Sequence, residues 1–211
     1  MSGHPSLIQD NAVPSFFLNL AAGRWWQFKE LNTGSIARVE NFQPAPNRMQ
    51  ITFSMGNKSA EIMLEVKDVE EDGLAYQEYR WLRSILQGHT LTWAGGLSIP
   101  THWKVGEAFT ALSEEGLPAT ANRAKISLTL DKIDFFTVPS GSLFPHGTQL
   151  WGIEIHQTIQ DVGLGTKVLG GTMTFAGSLG LVSAVVQIFG PTYALELDTW
   201  SGAHSPSGAI G

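Results

Sequence analysis

The segment 48–66 constrains the fold most, because its pattern is that of two β-strands joined by a tight turn. Apolar residues alternate with polar ones along the first half and so share one face: Met49, Ile51, Phe53 and Met55. Gly56 and Asn57 follow, and the return strand begins at Ser59 and runs to Val66. A period of two on each side of a glycine-containing turn predicts an antiparallel hairpin.

Comparable short segments with glycine or proline between them fill the rest of the chain. The other predicted strands are Trp25 to Leu31, Ser35 to Phe42, Thr90 to Leu97, Ala124 to Asp131, Gln149 to Ile159, Lys167 to Ala176, Leu181 to Phe189 and Tyr193 to Trp200. Leu74 to Leu86 fits neither the helical nor the strand period, and Pro100 to Pro118 is predicted to be an irregular loop over a barrel mouth. The expected helices are short: Pro14 to Ala22, and a second turn near Ser113 to Gly116.

Short strands at regular spacing indicate a β-sandwich or a β-barrel. We predict an all-β fold, a single antiparallel barrel of about eight or more strands with one or two short helices and an apolar pocket inside. The predicted organisation is a flexible arm over 1–12, the barrel over 13–200, and a polar, Gly/Ser-rich flexible tail over 201–211.

Composition narrows the partners and the compartment. The chain has 211 residues, a formal net charge of -6 and no cluster of cations, so we expect no nucleic acid partner. It has no cysteine, which excludes disulfides and thiolate chemistry. We identify no signal peptide and no apolar segment fit for a membrane helix, so we expect a cytoplasmic protein without membrane insertion. The oligomeric state stays open, with a homodimer as one alternative.

The segment 20–26, with Gly23, Arg24 and Trp25, resembles the Gly-x-Trp segment that begins the first strand of lipocalins. The resemblance implies a barrel floor closed by a short helical turn over Pro14 to Leu20. It further implies that Gly23 lets the backbone pivot into the strand, and that Trp25 plugs the base under a ligand cavity.

A second resemblance lies in residues 170–180, which are similar to the glycine-rich hairpin of allene oxide cyclase and dirigent barrels. The matching positions are Gly170, Gly171, Thr172, Phe175, Gly177 and Gly180, whereas Met173, Ser178 and Leu179 depart from the pattern. This resemblance implies that glycines turn the hairpin and that Phe175 packs inward. Spirotetronate cyclases are similar in size, class and pocket type, without a shared motif.

The segment 150–158 carries the best candidates for chemistry. A period of two places Glu154, His156 and Thr158 on one face and Trp151 with its apolar neighbours on the other. If the polar face points into the barrel, Glu154 and His156 form an acid–base pair about 6–7 Å apart along the strand. If it points outward, the same residues are a solvated surface.

The remaining candidates are aromatic. Tyr79 is the third predicted catalytic residue. The predicted substrate-binding residues are Trp81, Trp93, Trp103, Trp151, Phe175 and Tyr193. Indole rings combine a large apolar surface with one N–H donor, so several of them could form a shaped wall against an apolar ligand.

Cofactor signatures are missing from the sequence. The six histidines have no ligand partners at strand or helix spacing, and no nucleophile elbow, phosphate loop or dinucleotide fingerprint is present. We therefore expect neither a metal nor a cofactor.

Three functional hypotheses follow. The first is a cofactor-independent cyclase or isomerase, a pericyclase-like enzyme that folds a hydrophobic natural-product intermediate into its reactive geometry. The second is a non-catalytic, lipocalin-like carrier of a small hydrophobic molecule, and the third is a structural β protein whose apolar face is an interface. Inward-pointing Glu154 and His156 favour catalysis, whereas outward-pointing ones favour the carrier.

Overall fold

The computed structural model describes residues 11–18, 20–138, 147–177, 179–188 and 190–201. Their elements in chain order are β1 (Asn11–Ala12), α1 (Pro14–Leu18), β2 (Trp25–Glu30), β3 (Ile36–Ala45), β4 (Arg48–Met55), β5 (Lys58–Glu71), β6 (Leu74–Leu86), β7 (His89–Ile99), β8 (Trp103–Lys104), β9 (Ala108–Gly116), β10 (Arg123–Thr137), β11 (Gln149–Asp161), β12 (Lys167–Ala176), β13 (Gly180–Ile188) and β14 (Thr192–Trp200). The predicted arm and tail lie almost wholly outside the described residues and stay predictions.

Twelve of the described strands form one closed antiparallel barrel. Apart from the short pair β1 and β8, each strand hydrogen-bonds to the next one along the chain. The last strand returns to the first, with Leu195 opposite Glu30 and Trp200 opposite Trp26. Closure removes sheet edges, so the barrel backbone satisfies its hydrogen bonds internally. The predicted all-β antiparallel barrel with a short helix is confirmed.

Turn chemistry explains the hairpins. Met55 pairs with Lys58 across the two-residue turn predicted at Gly56 and Asn57, and Gly56 has a φ of 58°, which glycine adopts without strain. The next hairpin turns at Asp72 and Gly73, with φ values of 53° and 75°. The acidic residues Glu70, Glu71 and Asp72 therefore lead into a tight turn between β5 and β6.

Two segments differ from their predicted structure. Leu74 to Leu86, which fits no period, is strand β6, and its register against β7 shifts between Trp81 and Arg83. This bulge reverses which face the following side chains occupy, so a single period cannot describe the strand. Pro100 to Pro118 is not a loop, because it contains β8 and the barrel strand β9, and Ser113 to Gly116 is extended.

The segment that resembles the lipocalin motif enters the barrel as expected but with a different tryptophan inside. Gly23 has a φ of 75°, which permits the predicted pivot into β2. Trp25 is half-exposed beneath the Arg38 guanidinium, 4.8 Å from the ring centre, so its predicted role as a plug is wrong. Trp26 is the buried member of the pair, and its indole N–H donates to the Leu179 carbonyl at 2.6 Å.

The glycine-rich hairpin uses its glycines in two ways. Gly177 lies in the turn after β12 with a φ of 45°. Gly171 lies within the strand, where a Cβ would come 2.1 Å from the Val185 carbonyl oxygen, so only glycine allows this approach. Phe175 faces the barrel interior, as predicted.

Candidate functional site

A cavity of about 220 Å³ occupies the barrel interior. Side chains from α1 and from most barrel strands line it: Leu18, Leu20, Trp26, Val39, Asn41, Ile51, Phe53, Ala60, Ile62, Leu64, Trp81, Ser84, Leu86, Ile99, Leu128, Ile155, Gln157, Ile159, Leu169, Met173, Phe175, Leu181, Ala184, Val186 and Leu195. These described lining residues include no acidic, basic, histidine or tyrosine side chain. The cavity is therefore an apolar site with a few neutral polar groups.

Helix α1 contributes to one end of this cavity. It packs against β6, β12 and β13, and its last residue, Leu18, lines the cavity together with Leu20. Phe17 and Leu18 are buried, while Phe16 is exposed and stacks edge-on against Tyr76 at 5.8 Å. The helix is shorter than the predicted Pro14 to Ala22, and its C-terminal residue contributes to the cavity lining.

Three side chains bring polar groups to the lining: Asn41 on β3, Ser84 on β6 and Gln157 on β11. Around the barrel they are separated by three, four and five strand steps. Wide spacing around the wall prevents them from satisfying one another.

Ser84 is fixed by two tryptophans. Its Oγ accepts hydrogen bonds from the indole N–H groups of Trp81 at 3.1 Å and of Trp93 at 3.2 Å. The Trp81 N–H is shared with the Arg83 carbonyl, also at 3.1 Å, so the Ser84 oxygen accepts one full hydrogen bond from Trp93 and one shared hydrogen bond from Trp81. Among the described residues, no acceptor takes the proton of the Ser84 hydroxyl.

Asn41 is held by its backbone and not by its side chain. Its N–H donates to the Arg24 carbonyl at 2.8 Å, and its carbonyl accepts from the Gly23 N–H at 2.9 Å. The residue is 1% exposed, yet neither Oδ1 nor Nδ2 has a hydrogen-bond partner in the described part of the chain. Gly23, the glycine of the lipocalin-like segment, therefore helps to hold the backbone of Asn41, whose buried side-chain amide has no hydrogen-bond partner in the described part of the chain.

Glu154 and His156 do not line the cavity. On β11 the inward positions are Ile155, Gln157 and Ile159, so the pleat turns the two predicted catalytic side chains to the outer face. His156 Nδ1 lies 3.5 Å from the Thr172 hydroxyl on the neighbouring strand. Their catalytic role stays a prediction, and this outward orientation is the geometry expected of a carrier.

Tyr79 is buried outside the cavity lining. It is 2% exposed, and its hydroxyl donates to Gln77 Oε1 at 3.1 Å. Burial, with a smaller effect of the Asp68 charge, raises the pKa of Tyr79 to about 12. The phenol stays protonated at neutral pH and already has a partner.

Two of the predicted substrate-binding aromatics, Trp81 and Phe175, line the cavity. Trp93 and Trp103 are 1% and 0% exposed and belong to the packed core. Trp151 stacks against Phe135 at 4.8 Å, and Tyr193 lies beneath the Lys58 ammonium at 5.3 Å. These four residues pack elsewhere in the barrel wall and core.

A buried carboxylate lies apart from the cavity at the β2–β3 turn. Glu30 is 1% exposed and accepts hydrogen bonds from the Thr33 hydroxyl at 2.8 Å and from the backbone amides of Thr33 and Asn32. The Thr33 hydroxyl, helped by these amides and opposed by burial, lowers the pKa of Glu30 from 4.5 to about 2. The charged form of Glu30 therefore stabilises the turn.

Glu30→Gln is expected to destabilise the protein in a pH-dependent way. A carboxylate whose folded-state pKa is depressed stabilises the fold above its unfolded pKa of 4.5, and this contribution is lost as the pH falls towards 2. The free energy of unfolding, measured by urea denaturation, should differ more between wild type and variant at pH 7 than at pH 3. An equal difference at both pH values would contradict the assignment of the effect to the Glu30 charge.

In the described ranges, no group of three or more His, Asp or Glu side chains is arranged to hold a metal ion. None of the helices in those ranges is long and apolar enough to cross a membrane.

Comparison with known proteins gives no family assignment. No protein-family model matches the chain, and no curated protein matches it significantly. Two solved structures are similar over 89% of this chain and 99% of their own. One, from Bacteroides fragilis, is described as exported and as having a YmcC-like fold, with 12% identity and a TM-score of 0.38. The other, named as a lipoprotein, is from Parabacteroides distasonis, with 9% identity and a TM-score of 0.37.

Proposed function

We propose that this protein binds a small, predominantly apolar molecule inside its barrel. The observation that carries the proposal is the cavity of about 220 Å³ with an almost wholly apolar lining. Apolar side chains that face an internal void lose packing contacts, which a ligand of matching shape restores. Ligand sites in proteins have this character, with a few polar groups on an apolar surface.

The volume sets the size of the ligand. An apolar cavity of about 150 Å³ accommodates benzene in another protein, and typical drug-sized pockets begin at about 300 Å³. A cavity of about 220 Å³ falls between them. It suits a compact molecule of about ten non-hydrogen atoms, or the apolar part of a longer one.

The absence of titratable side chains from the described lining favours the carrier over general acid–base catalysis. A cyclase or isomerase is the second candidate, and the Ser84 hydroxyl favours it. A ring closure within one molecule needs positioning and a hydrogen-bond donor aimed at developing charge, and Ser84 supplies such a donor. The barrel-with-pocket architecture of lipocalins and of allene oxide cyclases is compatible with either activity.

The test is a screen by tryptophan fluorescence and native mass spectrometry with bicyclic hydrocarbons, ketones, lactones and short polyenes. Trp26 and Trp81 line the cavity, so their emission is expected to change when it is filled. Recovery of the unchanged ligand supports the carrier, and an isomer of equal mass supports the cyclase. No binding by any compound would contradict the proposal.

The screen also tests the outward-facing pair. Glu154→Gln and His156→Ala are expected to leave binding, and any isomer formation, unchanged within about twofold, because neither residue lines the cavity. A folded His156→Ala variant that binds normally but forms no isomer would restore the catalytic assignment of His156.

A further inference from the structure

We infer that Asn41 determines ligand specificity and that the ligand is a neutral carbonyl compound, whose oxygen accepts a hydrogen bond from the Asn41 carboxamide. This inference rests on the proposed function and adds the chemical class of the ligand. The juxtaposition that carries it is an unpartnered buried amide beside an apolar cavity.

Asn41 is an exception to a general rule of protein interiors. Buried polar side-chain atoms are nearly always hydrogen-bonded, because each unpaired one loses its bonds to water without replacement. Both polar atoms of Asn41 are unpaired among the described residues, while its backbone is fully engaged. The strand is thus held by its backbone, and the enclosed amide has no internal partner in the described part of the chain to give up when a ligand binds. Both atoms are enclosed in the ligand-free protein, so rotation about the broad χ2 torsion of asparagine is required to turn one of them towards a ligand.

Ser84 points to the same chemistry from a second strand. Two indole N–H groups already point at its oxygen, one of them shared with the Arg83 carbonyl, so its hydroxyl proton is the group it offers to a ligand. A donor of this kind is complementary to an oxygen acceptor and not to another N–H group. Ser84 therefore suits a second acceptor on the same ligand.

The two polar residues lie in one row of the sheet. Asn41 pairs with Ile51, Ile51 with Ile62, and Ile62 with Ser84, from β3 to β6. Three strand spacings separate the ends of this row, about 14 Å along the curved wall. Ile51 and Ile62 provide an apolar surface between them, which matches an apolar ligand body with polar atoms at its ends.

The absence of charged side chains from the described lining favours a neutral ligand over an ionised one. None of the described lining residues is cationic or anionic. An ionised carboxylate or ammonium group would lose its hydration without gaining a counter-charge, which is far more costly than burying a carbonyl group. A ketone, ester or lactone is accordingly favoured over a fatty acid anion or an amine.

The experiment compares three probes of similar shape: tetralin, 2-tetralone and the anion of tetralin-2-carboxylic acid, each titrated into the full chain by calorimetry. We expect 2-tetralone to bind about 3- to 10-fold more tightly than tetralin, the range that one neutral hydrogen bond provides, and the anion to bind most weakly. Equal affinities for tetralin and 2-tetralone would overturn the inference but not the proposed function. No binding of any probe to folded protein would overturn both.

Asn41→Leu is the matched variant, because leucine has a similar shape and no polar atoms. It should bind tetralin as wild type does and lose the preference for 2-tetralone. It should also raise the melting temperature of the ligand-free protein, by about 2–4 °C, since an unpaired amide is removed. A lower melting temperature together with a retained preference for 2-tetralone would contradict the role of Asn41. Asn41→Val provides the same test if the leucine variant does not fold.

Discussion

Replacing Ala184 with phenylalanine is expected to abolish ligand binding, with affinity falling at least about 100-fold. Ala184 lies on β13 between Met173 and Leu195, and all three line the cavity. The added ring is the size of benzene, which alone occupies a cavity of about 150 Å³. It would fill most of the space that a ligand needs. Calorimetric titration with any ligand found in the screen provides the measurement.

Val185→Phe is the matched control, because it adds a ring at the adjacent position on the opposite face. Val185 is 53% exposed, so this variant should fold and bind as wild type does. The melting temperature of Ala184→Phe should stay near or above the wild-type value, since the ring fills an existing void. Undiminished binding by a folded Ala184→Phe protein would place the ligand site outside the barrel.

The barrel was predictable from the sequence wherever one period holds along a strand. In β4 the four predicted inward residues are indeed the inward ones, since Met49 and Met55 are buried and Ile51 and Phe53 line the cavity. In β6 the period breaks, because Trp81 faces inward at an odd position and Ser84 at an even one, on either side of the bulge. No residue in that segment predicts a bulge, so the strand could not be recognised from alternating apolar and polar residues. The polar character of β9, whose inward positions include Ser113, similarly hid a barrel strand.

The candidate site was less predictable than the fold, for a reason that lies in the barrel itself. Alternation along β11 separates two faces but does not state which of them points inward. Glu154 and His156, the ionisable residues of this strand segment, lie on the outer face, while the neutral Gln157 lines the interior. A usable signal did exist at Asn41, which shares its strand face with the inward Val39. A neutral polar residue among inward apolar ones is thus a better indication of the cavity wall here than an ionisable pair.

Trp93→Ala is expected to lower the free energy of unfolding by about 3–5 kcal/mol, the usual cost of truncating a buried tryptophan to alanine. Trp93 is 1% exposed and belongs to the larger core cluster, so its removal leaves a void that the closed barrel cannot collapse to fill. Its loss also leaves the Ser84 oxygen with a single donor, from Trp81. Urea denaturation followed by far-ultraviolet circular dichroism measures the change without depending on tryptophan emission.

Trp25→Ala is the control for this prediction, because Trp25 is half-exposed and contacts Arg38 at the surface. Removing it takes away the same chemical group without opening a core cavity, so its effect on stability should be clearly smaller. The comparison also separates the two roles considered for Trp93. If Trp93 is a core residue, its truncation lowers the stability of the protein, and any change in ligand affinity is a consequence of the altered barrel. If Trp93 contacts the ligand directly, as the sequence suggested, its truncation instead lowers ligand affinity in a protein of nearly unchanged stability. That outcome would support the predicted role of Trp93 in substrate binding.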